Sequence, residues 1–171
     1  MRKSLRLTIS FVVLVAAVLF LSPSPATAAG TLHGPYQVQG IQSDKCIDIP
    51  HGSASNNVVL NIWTCKNPVT GNQKFWAEDH GGGNWEIWNP QNGKCLTVKG
   101  ASTKNNAPII QYDCTLGANE VWSFTDDYEV VNKKSKKCLT VKGRGTANGT
   151  TLLQYTCNGG DNQVWTWATQ W

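Results

Sequence analysis

The stretch from Cys46 to Cys65 reads Cys46-Ile47-Asp48-Ile49, then a polar turn from His51 to Asn57, then an apolar run from Val58 to Trp63. It recurs from Cys95 to Cys114 and from Cys138 to Cys157, with the two cysteines nineteen positions apart each time. Cys95-Leu96-Thr97-Val98 and Cys138-Leu139-Thr140-Val141 repeat the opening alternation, which suits strands. Polar turns at Gly100 to Asn106 and Gly143 to Gly149 follow, and then the runs Ile109 to Tyr112 and Thr150 to Tyr155. Copies at a fixed period mark structural units that stack around a shared core.

Outside the cysteine pairs the register continues. Tyr36, Trp85 and Tyr128 lie ten positions before the first cysteine of their units, and Val38, Ile87 and Val130 lie eight before it. Trp63, Tyr112 and Tyr155 stand two before the second cysteine. Beyond it come Asn72-Gln73-Lys74-Phe75, Asn119-Glu120-Val121-Trp122 and Asn162-Gln163-Val164-Trp165. The first two units end in Trp85-Glu86-Ile87-Trp88 and Tyr128-Glu129-Val130-Val131, whereas the third ends without such a segment. The matching copy is at the other end, Tyr36-Gln37-Val38-Gln39. The first strand is therefore expected to pair with the last, closing the sheet and removing its edges. The expectation is an all-β fold of twelve strands in three repeats, about 41–88, 89–131 and 132–171, closed by the N-terminal strand 36–39. Phe75, Trp122 and Trp165 are expected in the core. No segment after residue 28 shows a helical period with caps.

Residues 1–28 read as a secretory signal peptide. Arg2, Lys3 and Arg6 are followed by an apolar run from Phe11 to Leu21 and by Ala26-Thr27-Ala28. A membrane anchor is the competing reading, but the run is short of the roughly 20 residues a bilayer span needs. The whole chain has 15 Lys+Arg against 11 Asp+Glu; three of the basic residues and none of the acidic ones lie in the leader, leaving twelve against eleven. That near-neutral remainder argues against a nucleic-acid partner, which asks for a broad basic surface. Residues 29–171 suit one domain. Export places the six cysteines in an oxidising compartment. Equivalent residues should make equivalent bonds, so Cys46–Cys65, Cys95–Cys114 and Cys138–Cys157 are the expected bridges. Zinc is the rival reading of these cysteines; no close Cys-x-x-Cys pair exists, and His33, His51 and His80 are scattered.

These residues resemble the ricin B-chain type of lectin domain, a β-trefoil whose repeats carry a Gln-x-Trp signature. The signature is intact as Gln163-Val164-Trp165 and altered to Gln73-Lys74-Phe75 (with Trp76 adjacent) and Glu120-Val121-Trp122. The resemblance runs from about Tyr36 to Trp171. It implies a secreted carbohydrate-binding protein for galactose-type or plant and microbial polysaccharide sugars, with no cofactor and no metal, acting on carbohydrate and on glycoconjugates at cell surfaces.

A sugar offers hydroxyl groups and an apolar ring face, so its site needs polar side chains beside an aromatic platform. The first repeat supplies Asp48, Asn61, Asn72 and Gln73 beside Trp63, on strands that the bridge holds together. By resemblance, Asp48 accepts bonds from ring hydroxyls, Trp63 stacks on the ring, Asn72 donates, and Gln73 steadies the pair. Asn61 stands where the family usually has Gln; being one methylene shorter, its contact is expected to be lost or carried by water. The second and third repeats replace the aspartate by Thr97 and Thr140, and the rim amide by Ile110 and Leu153. A weaker site is expected at Thr140, Tyr155, Asn162 and Gln163, with Gln111 and Gln154 pointing outward to rebuild a rim.

Other classes have less support. Eleven acidic residues do not exclude a glycosidase pair, but no nucleophile elbow, phosphate loop or reactive thiol is present. Some β-trefoils inhibit proteases through an inserted loop, and the segment from Lys66 to Asn72, two residues longer than its counterparts, is the one candidate. Lys133, Lys134, Lys136 and Lys137 read as a solvated hairpin tip, or alternatively as a contact for acidic glycans.

Overall fold

The computed structural model describes residues 30–168. The proposed signal peptide lies outside the described residues, except that nothing after it in this range carries a helix long and apolar enough to cross a membrane. Thirteen strands and five single 3-10 turns make up the described chain. The strands are β1 (Thr31–Gly40), β2 (Lys45–Asp48), β3 (Val58–Val59), β4 (Asn61–Trp63), β5 (Phe75–Asp79), β6 (Trp85–Asn89) and β7 (Lys94–Val98). They continue as β8 (Ile109–Asp113), β9 (Val121–Phe124), β10 (Val130–Asn132), β11 (Cys138–Val141), β12 (Leu152–Tyr155) and β13 (Trp165–Ala168).

The sheet closes where the offset of Tyr36-Gln37-Val38-Gln39 places it: β1 runs antiparallel to β13, with Val38 opposite Trp167. Around the ring β1 pairs β5, β5 pairs β6, β6 pairs β9 and β9 pairs β10. The bridge from Glu129 to Val164 returns to the start of β13. Three hairpins, β2/β4, β7/β8 and β11/β12, cap this barrel. The fold is an all-β β-trefoil.

Twelve strands were expected, and one of them is divided. Val58 and Val59 pair with Gln111 and Ile110 of the second unit, whereas Asn61 to Trp63 pair with β2 of their own unit. Between them the N–H of Leu60 donates to Ile109 O, and its carbonyl accepts from Leu152 N. The strand changes partners at Leu60 because three hairpins converge there. The expected N-terminal strand is also longer, since residues 31–33 extend β1 alongside Asp79, Glu78 and Ala77.

The core is built from equivalent positions. Val38, Ile87 and Val130 are buried together with Ile47, Leu96 and Leu139, with Ile49, Val98 and Val141, and with Leu60, Ile109 and Leu152. Burying each such side chain contributes about 2 kcal/mol. Phe75, Trp122 and Trp165 complete the set as expected. Each tryptophan finds a partner for its indole N–H, Leu96 O at 2.9 Å and Leu139 O at 3.1 Å, and phenylalanine, having no donor, fills the third place. The three bridges form as the repeat selects, with Cα separations of 5.0, 5.1 and 5.1 Å.

Candidate functional site

Antiparallel pairing of β2 with β4 sets Asp48 directly opposite Asn61 and Cys46 opposite Trp63. Two residues of β4 thus share a face with the carboxylate, while Ile47 and Ile62 turn to the core. A 3-10 turn, Gly71–Gln73, brings Asn72 and Gln73 to the same spot, anchored by Ile49 N donating to Asn72 O at 3.0 Å. The result is a cleft of about 600 Å³ lined by Asp48, Asn61, Trp63 and Asn72 among others. Trp63 is 42% exposed and Asp48 4%.

Polar groups in this cleft hold one another in a fixed order. Asp48 Oδ2 accepts from Asn72 Nδ2 at 2.7 Å and from Gln73 Nε2 at 2.9 Å. The Gln73 Oε1 accepts in turn from Lys66 N and from Gln37 Nε2. Gln73 is fully buried and does not line the cleft, so it lies beneath the carboxylate as a positioning residue. Thr70 Oγ1 and Lys66 Nζ both donate to Asn72 Oδ1, which aims the Asn72 amide nitrogen at Asp48. Asp48 Oδ1 takes no hydrogen bond from the described residues. Asn61 Oδ1 is buried without a partner among them. Burial holds the Asp48 carboxyl above its ordinary value; the bonds from Gln73 and Asn72 and the charge of Lys66 pull the other way, the larger effect being desolvation.

Several lining residues were not among the expected ones: Lys66, Thr70, His51 and Gln91. Gln91 reaches in from the turn between β6 and β7, and a side chain at Gly71 would collide with it. His51 carried a legible signal. Its counterparts five positions after the cysteine are Gly100 and Gly143, and all three adopt φ of 57 to 60°. Glycine takes that conformation freely, whereas histidine there stores about 1 kcal/mol of strain.

The other repeats reuse the frame with different chemistry. The N–H following the second cysteine donates to the signature side chain in all three: Lys66 to Gln73, Thr115 to Glu120 and Asn158 to Gln163, at 2.7 to 2.9 Å. Thr97 and Thr140 turn their hydroxyls back to Cys95 O and Cys138 O. Thr140, Tyr155, Asn162 and Gln163 do meet at a smaller cavity of about 280 Å³. Gln111 and Gln154 do not point outward as expected. Both are buried, donating to Ser53 O and Ser55 O and to Ser102 O and Lys104 O respectively, because backbone carbonyls of the preceding repeat's turn need those donors.

A model of the ricin-type beta-trefoil lectin domain matches residues 34–165. The chain belongs to this family. As a ricin-type lectin domain it is a carbohydrate-binding protein. Among solved structures, the designed threefold symmetric protein ThreeFoil is 30% identical at a TM-score of 0.77, covering 81% of this chain and all of that one. The exo-beta-1,3-galactanase 1,3Gal43A from Clostridium thermocellum is 29% identical at 0.74, over 85% of this chain and 31% of the enzyme. The hemolytic lectin CEL-III is 25% identical at 0.64, over 79% of this lectin domain and 31% of that chain. This lectin domain therefore spans about a third of the length of the last two. No curated protein sequence matches it.

Proposed function

We propose that this lectin domain is secreted and binds galactose-type or polysaccharide sugars through the first-repeat cleft. The observation that carries this reading is Asp48: its Oδ2 is held by Asn72 and Gln73, and its Oδ1 is left for a ligand hydroxyl beside the Trp63 ring. Asn61, opposite Asp48 on the paired strand, lines the same wall of the cleft and adds an amide to its polar side. Trp63 supplies the apolar platform for a ring face.

An activity of glycosidase type has less support here, because such enzymes use two carboxylates flanking one bond. Asp48 is the one carboxylate among the residues lining the cleft. The segment from Lys66 to Asn72, considered as an inhibitory loop, contributes Lys66, Thr70, Gly71 and Asn72 to the cleft wall instead. Paired cysteines and the leader composition support export. A single shallow site of this kind corresponds to a Kd on the order of millimolar, about −4 kcal/mol, so retention on a glycan surface relies on multivalency.

Calorimetry with galactose, lactose and xylo-oligosaccharides tests the assignment. Asp48→Ala and Trp63→Ala should each abolish most of the binding; undiminished binding in both variants overturns it.

A further inference from the structure

We propose that the third repeat holds a second saccharide site, selective for sugars that carry a carboxylate or a sulfate, with Arg144 as its charged contact. This rests on the lectin reading of the domain but not on the first-repeat cleft. The cavity of about 280 Å³ is lined by Thr140, Arg144, Tyr155, Asn158 and Asn162 among others, and none of its lining residues is acidic.

The first-repeat cleft balances Asp48 against Lys66, whereas the third cavity has the cation Arg144 and no carboxylate. Asp48 is replaced by Thr140, whose Oγ1 donates to Cys138 O at 2.7 Å and accepts from Gln163 Nε2 at 3.0 Å. That hydroxyl is already engaged and offers no anionic acceptor to a sugar hydroxyl. Six positions after its cysteine the first repeat has Gly52, and the third has Arg144. The Arg144 guanidinium makes no hydrogen bond or ion pair with any described residue. A Cβ built on Gly160 would lie 3.2 Å from Arg144 Nη1, so the guanidinium rests over the turn leading to Asn162. The first repeat has Thr70 at the Gly160 position, and the missing side chain makes the room.

The surroundings suit an anion. The Arg144 backbone is tethered by Gln42 Nε2 donating to its carbonyl at 2.8 Å, so the side chain starts from a fixed point. Asn158 uses its Oδ1 to accept from Gly160 N, which leaves its amide nitrogen as a second donor. Tyr155 is 38% exposed and provides the platform. A planar guanidinium matches a carboxylate or sulfate with two parallel bonds, and its charge on an open rim makes the contact salt-sensitive.

Titration of the protein with galacturonic acid, galactose 6-sulfate and galactose, by calorimetry, tests this on the wild type, Arg144→Gln and Asp48→Ala. Arg144→Gln should weaken the binding of at least one anionic sugar by about tenfold, the loss of one charge-assisted contact. It should leave galactose binding and the melting temperature unchanged, since the side chain is exposed and unbonded. Asp48→Ala should retain the anionic sugar. A response to galacturonic acid alone or to the sulfate alone names the anion. Anionic binding that is insensitive to Arg144→Gln overturns the proposal, as does galactose binding without any anionic binding. Anionic binding lost in Arg144→Gln with no galactose binding supports it and removes galactose from the first-repeat assignment; no binding of any of the three overturns it, and the first-repeat assignment is then decided by the lactose and xylo-oligosaccharide titrations.

Discussion

Asn148 Oδ1 accepts hydrogen bonds from both the N–H and the hydroxyl of Thr64, at 2.9 and 3.1 Å, across 84 positions of chain. A turn of the third repeat thereby holds the residue next to Trp63, and a Cβ on Gly149 would lie 4.0 Å from the Trp63 ring. Asn105 makes the same pair of bonds with Thr156, from the second repeat to the third. From the first repeat to the second the arrangement is reversed in polarity, with Asn56 Nδ2 donating to Asp113 Oδ2 at 2.7 Å. Each unit is locked to the next through the residue before its second cysteine.

Asn148→Ala should therefore cost about 1 kcal/mol of stability and weaken binding in the first-repeat cleft several-fold. Asn105→Ala should cost a similar amount while leaving that binding unchanged. Thermal melts and lactose titrations of both variants make the comparison, and equal effects on binding would remove the proposed coupling to Trp63.

Binding should depend on pH through Asp48. Burial raises the pKa of this carboxyl above the ordinary carboxylate value. As pH falls through that raised value the carboxylate gains a proton and loses acceptor capacity, so affinity should drop before ordinary exposed carboxylates titrate. Stability moves the other way. The folded state binds this proton more tightly than the unfolded chain, so the Asp48 contribution to stability is most favourable below the unfolded value. It declines as pH rises through the interval up to the folded value. An Asp48→Asn variant should flatten both profiles, which titration calorimetry and melts across pH 3 to 8 (roughly the carboxylate and neutral range) would record.

His51→Gly should relieve the positive-φ strain that Gly100 and Gly143 avoid. The expected outcome is a neutral to slightly higher melting temperature, with a gain of up to about 1 kcal/mol, together with weaker sugar binding from loss of a cleft wall. A fall in stability of the same size would show that the ring makes packing contacts worth more than the strain.

Removing the buried donors should be expensive. Gln154→Ala leaves Ser102 O and Lys104 O without their partner and opens a cavity, for a loss of about 2 to 3 kcal/mol by chemical denaturation. Gln111→Ala should behave alike. A loss below about 0.5 kcal/mol would restore the outward-facing rim expected for these residues.

Reduction of the bridges should lower the melting temperature by many degrees, since each closes a loop worth about 3 kcal/mol of unfolded-state entropy. Melts with and without reductant measure this, and a shift within error would show that the barrel and its core are stable without them.

Chain spacing alone determined the threefold repeat, the cysteine pairing, the aromatic core positions and the closing of β1 onto β13, because each of these recurs at one offset and the barrel has room for only one kind of side chain at each place. It also brought Asp48, Asn61, Trp63 and Asn72 to one candidate cleft, since β2 and β4 are neighbours in sequence and their pairing follows from alternation. Tertiary structure alone decided the rest. Gln73 lies beneath the carboxylate rather than in the cleft, Gln111 and Gln154 turn inward, Gln91 and Lys66 join the cleft wall, and Arg144 enters the third cavity. Gln111 and Gln154 are placed by contacts between units and Gln91 by the approach of its turn to Gly71 of the first unit, whereas Gln73, Lys66 and Arg144 are set by turns of their own unit. Local periodicity carries no information about which backbone carbonyls of another unit need a donor, and that need, with the cost of leaving a buried carbonyl unpaired, is what sets the facing of Gln111 and Gln154.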